Sequence, residues 1–168
     1  MGQKTREFEE KFAGWCGSKH AIMVNSGSSA NLLLFAALIY SKRLKPGDEV
    51  IVPAVSWSTT YFPIFQHGLT LRFVDIDRKT LNLDPELVEA AITERTKAVF
   101  AVNLLGNPCD FDRLKTICDK NSLILLEDNC EALGAKYKGQ LTGTFGLAGT
   151  FSTFYSHHIC TMEGGVVV

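Results

Sequence analysis

The sequence has no excess of charge of either sign. Its 17 lysines and arginines stand against 18 aspartates and glutamates, for a formal net charge of −1. That balance argues against a nucleic-acid partner, which asks for a basic face, and gives no sign of a membrane surface as partner. No apolar run approaches the ~18 residues of a membrane span. The opening stretch MGQKTREFEEKF lacks the apolar core of a secretory leader. Its Met-Gly start is followed by Lys4, Thr5 and Arg6, a poor match to a myristoylation signal. The five cysteines, Cys16, Cys109, Cys118, Cys130 and Cys160, form no CxxC pair. Their odd count and irregular spacing predict free thiols in a reducing cytoplasm, mostly serving as small buried hydrophobes. Neither GxGxxG nor GKS occurs, so the two common nucleotide motifs are missing. Finally, no lysine follows Lys138.

What is present is one domain's length of chain, 168 residues, 46% of them hydrophobic, enough for a core. Strand-like and helix-like segments alternate. Residues 21–25 (AIMVN) read as a strand, and 28–42 as a helix apolar almost all round and therefore buried. EVIVPA is a strand stopped at Pro53, TTYFPIFQHG a short helix closed by Gly68, and TLRFVDI a strand. DPELVEAAI is a helix with Asp84 as N-cap and Pro85 in its first position. KAVFAVNL, CDFDRLKTICDKN and SLILLEDN follow as strand, helix and strand. GTFSTFY and GGVVV are two more strands. This order predicts an α/β fold, a mostly parallel sheet with helices on both faces, and a ligand site outside the carboxyl ends of the strands.

Four stretches carry candidate chemistry. In NSGSSAN, Gly27 permits a sharp turn, and Ser28 and Ser29 bring hydroxyls to a helix N-terminus suited to an anion; a plain serine cap explains the same residues. In LLEDNCEALG, Asp128 follows the apolar run LILL, where a carboxylate could hold a protonated ring nitrogen or simply cap a turn. Trp57 in PAVSWSTT could stack on a flat ligand or sit in the core rim. In FYSHHICTMEGG, His157 and His158 are adjacent. On a strand they face opposite ways and cannot share a metal ion. One could serve as a general base; both could equally be structural.

Together and in this order, these stretches resemble the pyridoxal-phosphate-dependent sugar aminotransferases of the DegT/DnrJ/EryC1/StrS family. The resemblance runs from REFEEKFAGWCGSKHAIMVNSGSSANLLL to GTFGLAGTFSTFYSHHICTMEGG. It implies the aspartate aminotransferase fold (fold type I), with residues 1–168 as part of the large, cofactor-binding domain. An N-terminal segment and a C-terminal small domain then lie outside the sequence, which is expected to be a fragment. Ordinary members carry in the last motif a lysine that holds the cofactor covalently; here that position is His157. Two branches are known for this replacement, the GDP-4-keto-6-deoxymannose 3-dehydratases and the CDP-linked hexulose 3-dehydrases. VPAVSWSTTYFP, NLLGNP, LLEDNCEALGA and TFYSHHICTMEGG look most like the first. The CDP-linked enzymes carry an iron–sulfur cluster on cysteines beyond the equivalent of Val168, so cysteines do not separate the two.

By the same resemblance, Asp128 is the partner of the pyridine nitrogen and Trp57 stacks on the ring. Gly27, Ser28 and Ser152 contact the phosphate, Glu131 is a nearby cofactor-site carboxylate, and His157 is the catalytic base, with no metal. The implied cofactor is pyridoxal 5′-phosphate in exchange with pyridoxamine 5′-phosphate. The implied reaction is C3 deoxygenation of a nucleotide-linked 4-keto-6-deoxy sugar, GDP-linked by preference, in deoxysugar and lipopolysaccharide O-antigen synthesis. L-Glutamate would regenerate the amine, in a cytoplasmic homodimer. Two rivals stay open: a sugar aminotransferase with its lysine displaced, for instance to Lys136 or Lys138, and a truncated fragment without catalysis.

Overall fold

All seven strands expected from the alternation join one sheet. A computed structural model describes residues 2–168. In chain order its elements are α1 (Gln3–Cys16), β1 (Ile22–Val24), α2 (Gly27–Tyr40), β2 (Glu49–Pro53), α3 (Ser58–Gln66), β3 (Thr70–Val74) and α4 (Pro85–Ala91). There follow β4 (Thr96–Val102), a 3-10 turn (Leu104–Gly106), α5 (Phe111–Lys120), β5 (Ile124–Asp128), a small hairpin of β6 (Lys136–Tyr137) and β7 (Gln140–Leu141), β8 (Ala148–Ser152) and β9 (Gly165–Val167). The sheet order is β1-β9-β8-β5-β4-β2-β3. The pairs among β3, β2, β4, β5 and β8 are parallel, and β9 runs antiparallel to both β8 and β1.

The alternation of side chains along the strands builds two cores, one on each face. Ile51, Val99, Ala101 and Leu125 pack against Phe111, Leu114 and Ile117 of α5 and Val88 of α4. Their sequence neighbours Val50, Val52, Ala98, Phe100 and Leu126 pack on the other face against Leu34, Phe35 and Leu38 of α2 and Ile64 of α3. Phe35 meets Phe100 edge to face at 5.2 Å. This two-sided cover is why the central strands are apolar without interruption. α4 begins as its sequence predicts: the Asp84 carboxylate accepts the Glu86 N–H at 2.9 Å, with Pro85 at the first position.

α1 and the β6–β7 hairpin have no counterpart in the sequence reading. α1 is charged along most of its length. Only Ala13 and Cys16 are buried in it, while Phe12 meets Phe151 of β8 at 5.2 Å. A further difference concerns the histidines. β8 ends at Ser152, and residues 153–164 leave the sheet as a loop. The loop is closed by Thr161 N–H to Thr153 O at 2.9 Å, Thr153 N–H to Gly164 O at 2.9 Å and Tyr155 N–H to Met162 O at 3.1 Å. His157 and His158 therefore lie in a turn, with the His157 N–H on Phe154 O at 2.9 Å, and the strand alternation invoked for them does not apply. The chain returns through Gly165, where a Cβ would stand 2.2 Å from Ser26 O. Only glycine lets β9 pass so close to the start of α2.

Candidate functional site

A cavity of about 640 Å³ opens at the carboxyl ends of β4, β5 and β8 and the start of α2. Gly27, Ser28, Trp57, Asp128, Glu131, Ser152 and His157 all line it. Seven residues chosen from four separate stretches are thus brought together around one space. Lys136 and Lys138 do not line it; they lie at the β6–β7 hairpin, where Lys138 pairs with Asp112. Among the described residues that line the cavity, none is lysine.

The wall at α2 is the start of a 14-residue helix. Its N-cap is Ser26, two and three residues before the serines read from the motif. The Ser26 Oγ accepts the Ser29 N–H at 3.0 Å and donates to the Ser29 Oγ at 3.1 Å. Ser29 therefore faces the cap, and Ser28 is the serine that reaches the cavity. The first N–H groups of a helix have no partner within it, so Gly27 and Ser28 point donors toward the space. At Gly27 a Cβ would lie 2.6 Å from Ser152 Cβ and 2.8 Å from Cys130 Sγ. The absence of that carbon lets α2 press onto the end of β8.

The floor is Asp128, the last residue of β5 and only 4% exposed. Its Oδ2 accepts the Thr60 hydroxyl at 2.8 Å and the Asn31 amide at 3.0 Å. Its Oδ1 accepts the Cys130 N–H at 3.1 Å. None of the ion pairs of the described residues involves it. The neighbouring Cys130 thiol is pushed well above its ordinary range, first by burial and then by the Asp128 charge, so it stays protonated. Glu131 lines the rim, and its Oε2 accepts the Leu105 N–H at 2.9 Å. That bond ties down a leucine held at φ 53° in the 3-10 turn. Trp57 precedes α3 and is 70% exposed. His157 is half-buried at the cavity, while His158 is exposed and does not line it.

Sequence reasoning missed Asn31 and Thr60. Asn31 had a signal: it is the one amide in the apolar run of α2, and a buried amide needs partners. Thr60 had none, being one hydroxyl among several in VSWSTT.

A mostly parallel sheet, flanked by helices and gathering a helix N-terminus and a buried carboxylate at its strand ends, is an architecture of fold type I enzymes. The chain belongs to the DegT/DnrJ/EryC1/StrS aminotransferase family, whose model matches residues 1–168. It is 59% identical over 170 residues to the GDP-4-keto-6-deoxy-D-mannose 3-dehydratase of Yersinia pseudotuberculosis, covering 100% of this chain and 43% of that protein. A crystal structure of GDP-4-keto-6-deoxymannose-3-dehydratase with a trapped PLP-glutamate geminal diamine superposes with a TM-score of 0.97 at 57% identity, over 100% of this chain and 44% of that one. A ColD variant, with a histidine and the serine immediately before it replaced by lysine and asparagine, gives the same TM-score and identity, over 100% and 45%. The chain thus spans less than half the length of these relatives.

Proposed function

We propose that residues 1–168 are the cofactor-binding part of a longer enzyme that removes the C3 oxygen of a nucleotide-linked 4-keto-6-deoxy sugar. GDP is the favoured nucleotide, L-glutamate the amine donor, and a cytoplasmic homodimer the working form. The observation that carries the reading is a cavity equipped for pyridoxal phosphate with a histidine, and no lysine, on its wall. The likeness to the Yersinia dehydratase supports the substrate class, and the glutamate complex of the similar solved enzyme supports the amine donor.

The residues fit the cofactor on their own chemistry. Asp128 is a buried carboxylate with no ion-pair partner among the described residues. Burying an unpaired charge is costly, and a protonated ring nitrogen is the cation such a group would take. The N–H groups of Gly27 and Ser28 with the hydroxyls of Ser28 and Ser152 form an anion site at a helix N-terminus, suited to the phosphate. Trp57 offers an open aromatic face, and Glu131 a carboxylate at the rim.

When bound, the cofactor supplies an amine nucleophile and an electron sink. The protein's part is to hold and to move protons. Asp128 keeps the ring nitrogen protonated. His157 accepts a proton through an imidazole nitrogen, and because imidazole forms no lasting covalent tether, position 157 is left free for that transfer. His157 is favoured over His158 by a second fact. The ColD variant pairs its histidine with a preceding serine; here Ser156 precedes His157, and His157 precedes His158.

The test uses full-length protein with GDP-4-keto-6-deoxymannose, glutamate and cofactor, and mass spectrometry of the product. A sugar lacking the C3 oxygen and keeping its ketone supports the reading. A sugar keeping the oxygen, with an amine in place of the ketone, makes the protein an aminotransferase. No turnover by a dimeric, cofactor-loaded protein refutes both.

A further inference from the structure

Asp128 sits at the meeting point of two hydrogen-bond chains whose direction can be read from their ends. Thr60 donates its one hydroxyl proton to Asp128 Oδ2 at 2.8 Å, so in the 2.9 Å contact between Ser56 and Thr60 the donor is Ser56. On the other side Thr150 donates to Asn31 Oδ1 at 2.6 Å. The Asn31 amide nitrogen donates to Thr59 O at 3.2 Å and to Asp128 Oδ2 at 3.0 Å. A flipped Asn31 would set its oxygen against a carboxylate and a carbonyl, and its nitrogen against the Thr150 hydroxyl. The two acceptor-only partners, Thr59 O and Asp128 Oδ2, thus fix its orientation, and the Thr150 hydroxyl is left to donate to its oxygen. Asn31, Thr60 and Thr150 are each 1% exposed or less, and they come from α2, α3 and β8.

Both chains therefore deliver donors to the same oxygen, which has no in-plane acceptor site to spare. A carboxyl protonated at Oδ2 would face two donors with a third proton. The arrangement is satisfied only with Oδ2 as a pure acceptor, in one rotational setting, which leaves the open capacity of the carboxyl on Oδ1.

We propose that Thr60 and Asn31 are positioning residues, which clamp Asp128 as an acceptor in the one orientation that presents its remaining capacity to the cavity. The inference rests on the reading of Asp128 as the partner of the cofactor ring nitrogen. Neither residue touches the reacting atoms; both act through Asp128.

The experiment compares Thr60→Val, Thr60→Ser and Asn31→Leu with wild type in the full-length protein. Two readouts are used. The first is pyridoxamine phosphate affinity together with the induced circular dichroism of the bound cofactor, which reports a fixed tilt and is insensitive to global stability. The second is the crystal structure of each cofactor-free protein. Charge-assisted hydrogen bonds to a buried carboxylate are strong, so Thr60→Val and Asn31→Leu should weaken binding at least about tenfold. They should also reduce the dichroic band and show the Asp128 carboxylate turned from its wild-type plane. Thr60→Ser, which keeps the donor, should restore all three. Wild-type affinity, dichroism and carboxylate orientation in both Thr60→Val and Asn31→Leu overturn the proposal. If wild type itself binds no pyridoxamine phosphate, the functional reading fails, while the cofactor-free structures still judge the clamp.

Discussion

At the scale of single residues, the site is a set of substitutions with separable outcomes. Asp128→Asn exchanges an acceptor-only group for one that carries an amide NH₂. It would set that NH₂ against the Thr60 and Asn31 donors or the Cys130 N–H, all of which now point at the carboxylate. Turnover of the full-length protein should fall severely with far-ultraviolet circular dichroism unchanged; near-normal turnover would remove Asp128 from the mechanism. His157→Asn should abolish turnover and His158→Asn should keep most of it, because only His157 lines the cavity. The opposite pattern would mean that the loop of residues 153–164 presents the other ring to the ligand. Gly27→Ala inserts a carbon within 2.8 Å of both Ser152 Cβ and Cys130 Sγ. Overpacking of this kind costs about 1–3 kcal/mol, to be read as a lowered denaturant midpoint together with weaker cofactor binding. An unchanged midpoint would show that α2 can withdraw from β8 without cost.

At the scale of elements, the start of β2 carries a charge cluster that makes stability depend on pH. Glu49 is 2% exposed. Its carboxylate accepts the Thr93 hydroxyl at 2.6 Å and pairs with Arg95 at 2.7 Å. The Thr93 hydrogen bond, followed by the charge of Arg95, holds its pKa below the ordinary 4.5 against an opposing effect of burial. A group depressed on folding stabilises above its unfolded pKa, and that contribution is lost as pH falls through the folded value. The difference in unfolding free energy between wild type and Glu49→Gln should therefore be full at neutral pH and shrink below about pH 4.5. A difference that does not vary with pH would show that Glu49 acts through packing. The elements themselves were largely legible. Apolar runs bounded by Pro53, Gly68 and the Asp84-Pro85 cap announced the seven strands and four of the helices, because burial and capping act locally. α1 was not legible, since its charged surface hides a contact stripe of Phe8, Phe12 and Ala13 that matters only once Phe151 is in place. The run GTFSTFY looked like one long strand. Residues 153–164 leave the sheet as a loop in which Thr153 bonds Thr161 and Gly164, a closure between residues 8 to 11 positions apart that the alternation of the run does not display. His157 lines the cavity and His158 does not, a separation set by the turn of the loop and not by the strand alternation expected for the pair. Of the candidate site, the helix N-terminus at Gly27 and Asp128 could be read from strand ends, whereas the Thr60 and Asn31 hydrogen bonds reach Asp128 from 68 and 97 positions away and could not.

At the scale of the whole molecule, the described residues leave large apolar side chains uncovered around the cavity and on α3. Phe65 is 74% exposed, and Trp57, Phe62, Tyr155, Ile159 and Met162 are exposed as well. Exposed apolar side chains of that size are what a partner subunit or further chain would cover, as the proposed homodimer requires. Residues 1–168 produced alone should bind a hydrophobic dye strongly and self-associate, while the full-length protein should bind little dye and sediment as a dimer. Equal dye binding by both would leave this surface without an occupant. In the proposed function, the enzyme holds its cofactor without a lysine tether because His157 stands in the lysine's place. That reading is tested most directly by borohydride reduction of the cofactor-loaded, full-length protein followed by peptide mass spectrometry, on wild type and His157→Lys in parallel. The expected result is no cofactor-mass adduct on any wild-type peptide and a stoichiometric one on the introduced lysine, with loss of deoxygenation. A cofactor adduct on wild type at Lys136, Lys138 or any other lysine would contradict it.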